Sequence, residues 1–166
     1  ARCCAGQIDP KLTELGMKQA RLTAKFISDN YKVDKIYASD LRRAYKTAKA
    51  LGDMLGLEVI KTEEMREIDG GEWEGIVWSD LIANYPVEYG IWLNDIGNCA
   101  CPGGETMLDF SKRIMAEIKR IAEENDGKTV AVGTHGTPIR VAQGIIERGD
   151  VSKISDVPWA SNASVT

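Results

Sequence analysis

Apolar residues recur at helical spacing over residues 12–31, at Leu15, Ala20, Ala24 and Ile27, which predicts an amphipathic helix with Thr13 as its N-cap. A short strand over 34–39 follows, ending in the small Ser39, and then a helix over 40–55 with Asp40 as cap and Gly56 as terminator. Residues 57–62 read as another strand. The stretch 63–102, rich in glycine, tryptophan and acidic residues, is expected to be irregular apart from one short helix over 78–84. Phe110, Ile114, Ile118 and Ile121 mark the clearest amphipathic helix, over 106–124. The near-continuous apolar run 129–134 reads as a buried parallel strand. A helix over 138–147 follows, and the alternating run 162–166 begins another strand.

Strands alternating with helices of this length imply β-α-β units, so the expected class is α/β: a three-layer α/β/α arrangement on a mostly parallel sheet. No repeat, low-complexity tract or Pro/Ser-rich linker interrupts the pattern, which predicts one domain over 1–166. The chain opens at Ala1 and stops inside a strand-like run, and the domain is expected to be truncated at both ends.

Composition narrows the function classes. Hydrophobic residues make up 43% of the 166, enough to fill a core and to exclude intrinsic disorder. With 21 Lys+Arg against 25 Asp+Glu the formal charge is −4, which gives no electrostatic footprint for nucleic acid or an anionic membrane. No stretch approaches the roughly 20 apolar residues of a membrane-spanning helix. The expectation is a cytoplasmic protein, monomeric or homodimeric. Cys3-Cys4 and Cys99-x-Cys101 lack the usual zinc spacing. A zinc site and a disulfide stay open beside free thiols in a reducing compartment, which the spacing favours.

In an open parallel sheet ligands bind at the carboxyl ends of the strands. The run 129–134 leads directly into His135-Gly136-Thr137-Pro138, and His135 is the only histidine in the chain. A lone loop histidine is often merely hydrogen-bonded structure. Placed between a strand tip and a helix start, where free N–H groups favour an anion, His135 is a functional candidate. At a second tip, Arg42 or Arg43 can offer a planar fork to a phosphate or simply solvate the helix. At a third, carboxylates held among Gly70, Gly71, Trp73 and Gly75 suit a general acid or form a solvated acidic loop.

Taken in order, these segments resemble the histidine phosphatase superfamily, its phosphoglycerate-mutase-like branch, over nearly the whole chain. Gly6, Asp9, Leu12, Thr13 and Gly16 match a G-x-x-D-x-x-L-T-x-x-G segment. Ser39, Leu41, Arg43, Ala44, Thr47 and Ala48 match S-x-L-x-R-A-x-x-T-A. Glu67, Gly71, Trp73, Glu74 and Gly75 follow the stretch that ends in G-x-W-E-G, Gly104-Glu105-Thr106 is similar to G-E-S/T, and His135-Gly136 to the second catalytic H-G. Each motif alone is weak; five in order are specific.

The resemblance implies phosphoryl transfer from a small phosphorylated metabolite to an enzyme histidine and then to water, with no cofactor and no metal. It assigns Arg43 and His135 to the phosphoryl oxygens, Glu67 to proton transfer, and backbone near Gly6, Gly136 and Thr137 to substrate binding. Mutases of the family extend the loops after the acid; the short 75–102 segment favours a hydrolase over a phosphoglycerate-type mutase. One element is missing. The family's Arg-His-Gly-Glu signature, which supplies the nucleophilic histidine on a central strand, is not among the 166 residues. The nucleophile is therefore expected upstream, and the 166-residue chain alone is expected to be inactive and poorly soluble. A phospho-ligand binding module without chemistry is the alternative of another class.

Overall fold

Thr13 opens the first helix: its hydroxyl accepts the Gly16 N–H at 3.0 Å, and α1 runs Glu14–Asn30. A computed structural model describes residues 3–166. They group into two compact units, one of Asp9–Arg66, Ala116–Gly136 and Ala160–Thr166, the other of residues 3–8, Glu67–Met115 and Thr137–Trp159.

The first unit carries the sheet. Strand β1 (Lys35–Ser39) lies between β2 (Val59–Thr62) and β3 (Val130–Gly133), and both pairings are parallel, with Ala38 opposite Lys61 and Gly133. Helix α2 (Arg42–Leu55) returns the chain from β1 to β2 and ends at Gly56, whose φ of 69° is the left-handed cap conformation glycine adopts readily. Ala24, Ile36, Ala38, Ala48 and Leu51 form the buried centre; small residues on α1 and α2 let both helices approach closely.

Three expectations are corrected. Asp40 does not cap α2: the N-cap position is Leu41, and the Asp9 carboxylate instead accepts the Arg42 N–H at 2.7 Å and the Arg42 Nε–H at 2.9 Å. The β3 run is not buried on both faces. It pairs only with β1, so among the described residues it is an edge, and Val132 is 37% exposed. Residues 162–166 form no strand: Ser164 N–H closes on the Ser161 carbonyl, Ala163 takes φ 56°, and its carbonyl accepts the Thr23 hydroxyl at 2.5 Å. A carbonyl engaged by a helix side chain is not offered to a ladder.

The second unit contains α3 (Trp78–Asn84), with the expected bounds, and α4 (Pro86–Asn94), which the sequence did not signal. Helix α4 leaves Val87 and Leu93 exposed while Tyr89 and Trp92 turn inward, so no amphipathic period marks it. Trp73 is buried against edge-on Tyr89 and Trp92, with centroids 6.0 and 5.9 Å away. Thr106 caps α5 (Met107–Glu124) by accepting the Asp109 N–H at 3.1 Å, and α6 spans Gly136–Arg148. No described helix is long and apolar enough to cross a membrane.

Two carboxylates in the sheet-bearing unit tie its stability to pH. Glu117, 4% exposed, accepts the Arg120 fork at 2.8 and 2.7 Å and the Thr62 hydroxyl at 2.6 Å. Asp40 accepts both prongs of Arg66, the Nε–H at 2.7 Å. The arginine hydrogen bonds hold both carboxyls below their ordinary values. A depressed folded pKa gives stability that is complete above the unfolded value, about 4, and lost as pH falls through the folded one. Circular-dichroism melts are therefore expected to be level from about pH 7 to 5 and to fall below about pH 4, with a smaller acid drop in Glu117→Gln.

Candidate active site

The parallel register aligns the carboxyl ends of β1 and β3, so Ser39 and the Thr134-His135 pair emerge at neighbouring tips. His135 is 8% exposed, and its Nε2 lies 2.9 Å from the hydroxyl of fully buried Ser39. The Ser39 oxygen also accepts the Leu41 N–H at 3.3 Å, which orients it from below. The Thr134 hydroxyl donates to the Met65 carbonyl at 2.9 Å, tying the β3 tip to the segment that follows β2. That segment ends in Arg66, whose fork grips Asp40, the residue after Ser39.

The two arginines at the start of α2 separate cleanly. Arg42 is exposed and committed to Asp9 through its backbone N–H, its Nε and its Nη2, the last bonding the Asp9 carbonyl at 2.5 Å. Arg43, one residue on, is half-buried in the first turn of the helix that leaves the β1 tip. Arg42 is thus the helix-anchoring residue.

The second unit holds Glu67. Its Oε1 accepts the Ile68 N–H at 2.9 Å and its Oε2 the Thr137 N–H, in the first turn of α6, at 3.4 Å. The Thr137 amide proposed for substrate therefore points at Glu67 here. The next carboxylate, Glu74, is a backbone latch. It accepts N–H groups from Gln7 at 2.7 Å, Ile8 at 3.1 Å and Gly70 at 3.1 Å. Gly6 serves this latch: its φ of 45° favours glycine, and a Cβ there would stand 2.0 Å from Glu74 Oε1, so any side chain would displace the latching carboxylate. Glu72 is exposed and accepts the Tyr85 hydroxyl at 3.0 Å.

The sequence reading did not single out Glu105 and Arg113. Arg113 donates its Nε–H and Nη2–H to the Glu105 carboxylate at 2.8 and 2.7 Å, and Glu105 accepts the Asp69 N–H at 2.9 Å. Glu105 belongs to the Gly104-Glu105-Thr106 motif; nothing in the sequence distinguishes Arg113 from other polar helix residues. The four cysteines are free thiols, and no group of three or more His, Cys, Asp or Glu among the described residues is placed to hold a metal.

The family model for the histidine phosphatase superfamily (branch 1) matches residues 1–166. The chain belongs to this superfamily. It is 32% identical over 148 residues to phosphoserine phosphatase 1 of Hydrogenobacter thermophilus, covering 89% of this chain and 70% of that protein. It is 31% identical over 137 residues to phosphoglycerate mutase-like protein 4 of Arabidopsis thaliana, covering 81% of this chain and 60% of the relative. A mycobacterial glucosyl-3-phosphoglycerate phosphatase, solved with VO3, superposes with a TM-score of 0.89 at 29% identity, over 98% of this chain and 82% of that one. The histidine phosphatase membership agrees with the α/β class and the parallel sheet.

Proposed function

We propose that this histidine phosphatase superfamily member hydrolyses small phosphorylated metabolites through a phosphohistidine, without a metal. The observation that carries the reading is His135 beside Ser39 at adjacent strand tips, with Arg43 in the first turn of the helix leaving one of them. Strand tips followed by helix starts are where fixed donors meet anionic ligands. The names of the relatives, phosphoserine and glucosyl-3-phosphoglycerate phosphatases, support the same class.

On this reading a neutral imidazole attacks phosphorus in line, forming N–P as the ester P–O bond breaks, and Glu67 gives its proton to the departing alkoxide. Water then attacks phosphorus, loses its proton to the Glu67 carboxylate, and inorganic phosphate leaves the histidine. Arg43 and His135 meet the charge on the equatorial oxygens. The nucleophile is a histidine preceding Ala1, because the single histidine of the 166 residues is assigned to the clamp.

The test is the gene product with its upstream codons, assayed on phosphate monoesters and quenched during turnover. Expected are release of inorganic phosphate and an acid-labile, base-stable phosphoprotein, with neither from the 166-residue chain alone. Transfer to a second metabolite instead of water would make the protein a mutase. Phosphate binding without turnover would make it a binding module.

A further inference from the structure

We propose that Glu105 and Arg113 form a positioning pair that fixes the proton-donating Glu67, an inference that rests on the role assigned to Glu67 above. Glu67 lies on a segment, residues 66–70, that is neither helix nor strand, so its carboxylate is only as well placed as its backbone. That backbone is held at two successive points. The Glu105 carboxylate accepts the Asp69 N–H at 2.9 Å while the Glu105 N–H donates to the Asp69 carbonyl at 3.0 Å, closing a two-way pairing just beyond Glu67. The Arg113 Nη2 then reaches the Glu67 carbonyl itself at 3.4 Å.

The support is rigid. Arg113 projects from the second turn of α5, with its guanidinium 5.0 Å from the ring centroid of fully buried Phe110. Its fork and the Glu105 carboxylate are 17% and 23% exposed, and both prongs are filled. A planar fork satisfied on two oxygens fixes orientation as well as distance. The pair thus transmits the rigidity of a helix to a loop that has no regular structure of its own. Neither side chain touches a reacting atom on this reading; each acts through Glu67.

The consequence is specific, since proton transfer is sensitive to placement by about an ångström. Arg113→Lys keeps the charge but loses the fork, and Glu105→Gln replaces one acceptor with a donor facing Arg113. In the full-length protein, both are expected to lower kcat/KM on phosphoserine roughly 10- to 10²-fold, and on p-nitrophenyl phosphate much less, because p-nitrophenolate leaves without a proton. Arg113→Ala should lose more than Arg113→Lys. A double-mutant cycle gives the decisive measurement: in a Glu67→Gln background, Arg113→Lys is expected to cost almost nothing further. Equal losses on both esters, or an unchanged cost of Arg113→Lys in the Glu67→Gln background, would overturn the positioning role. If Glu67→Gln alone is silent, the assignment of Glu67 fails instead. If Glu105→Gln unfolds the protein, the lysine variant and its cycle still decide.

Discussion

Replacing Glu67 with glutamine is expected to lower kcat/KM on alkyl phosphates by roughly 10²- to 10⁴-fold, the usual range for general-acid catalysis, while p-nitrophenyl phosphate loses far less. The selectivity follows from the leaving group. An alkoxide leaving phosphorus must be protonated as the bond breaks, whereas p-nitrophenolate is stable at neutral pH. Glutamine keeps the length of Glu67 and an oxygen for the Ile68 N–H at 2.9 Å, while giving up the longer contact of Oε2 with the Thr137 N–H at 3.4 Å. The neighbouring carboxylates are poor substitutes. Glu74 is consumed by three backbone N–H groups, and Glu72 is exposed with a tyrosine hydroxyl on it. An equal loss on both classes of ester would reduce Glu67 to a shape-determining residue and make Glu72 the next carboxylate to replace.

What could be seen in the sequence was what depends on local periodicity and local turn chemistry. Thr13 and Gly56 end their helices as their types dictate, and the short helix at Trp78 has the expected bounds. What could not be seen depends on partners distant in the chain. Asp40 looks like a cap because it precedes a helix, but Arg66 takes it, and Asp9, 33 residues before Arg42, caps in its place. The 129–134 run reads as a buried parallel strand because its composition is apolar; whether a neighbour covers its outer edge is not written in the run itself. Helix α4 escaped because its apolar residues point both inward and outward.

The candidate site divides in the same way. The placement of His135 and Arg43 was legible because a strand tip followed by a helix start is a local pattern. Of the two adjacent arginines, the motif points to Arg43, and the structure adds that Arg42 is bound to Asp9. Gly6 was read as a place for substrate to approach, and its visible task is to make room for Glu74. Glu105 and Arg113 are eight residues apart on the chain, and their shared grip on the Glu67 loop appears only in three dimensions.

The phosphate clamp makes the second large prediction. Arg43→Lys keeps a positive charge at the head of α2 but gives up the planar fork, and it is expected to cost on the order of 10²-fold in kcat/KM, about 2.7 kcal/mol. His135→Ala removes a donor of the oxyanion-hole type, for which a loss of roughly 10²- to 10³-fold in turnover is usual. Both losses should appear on phosphoserine and p-nitrophenyl phosphate alike, because the equatorial oxygens are the same whatever group departs. That uniformity separates the clamp from Glu67, whose effect depends on the leaving group. Neither change should unfold the chain. Arg43 is only half-buried, and Ser39, relieved of His135, still accepts the Leu41 N–H. Vanadate, a trigonal-bipyramidal mimic, should bind the full-length protein and lose affinity in both variants. Melting temperatures that fall while activity and vanadate binding stay intact would make Arg43 and His135 structural residues, and the assignment of the strand-tip site would be wrong.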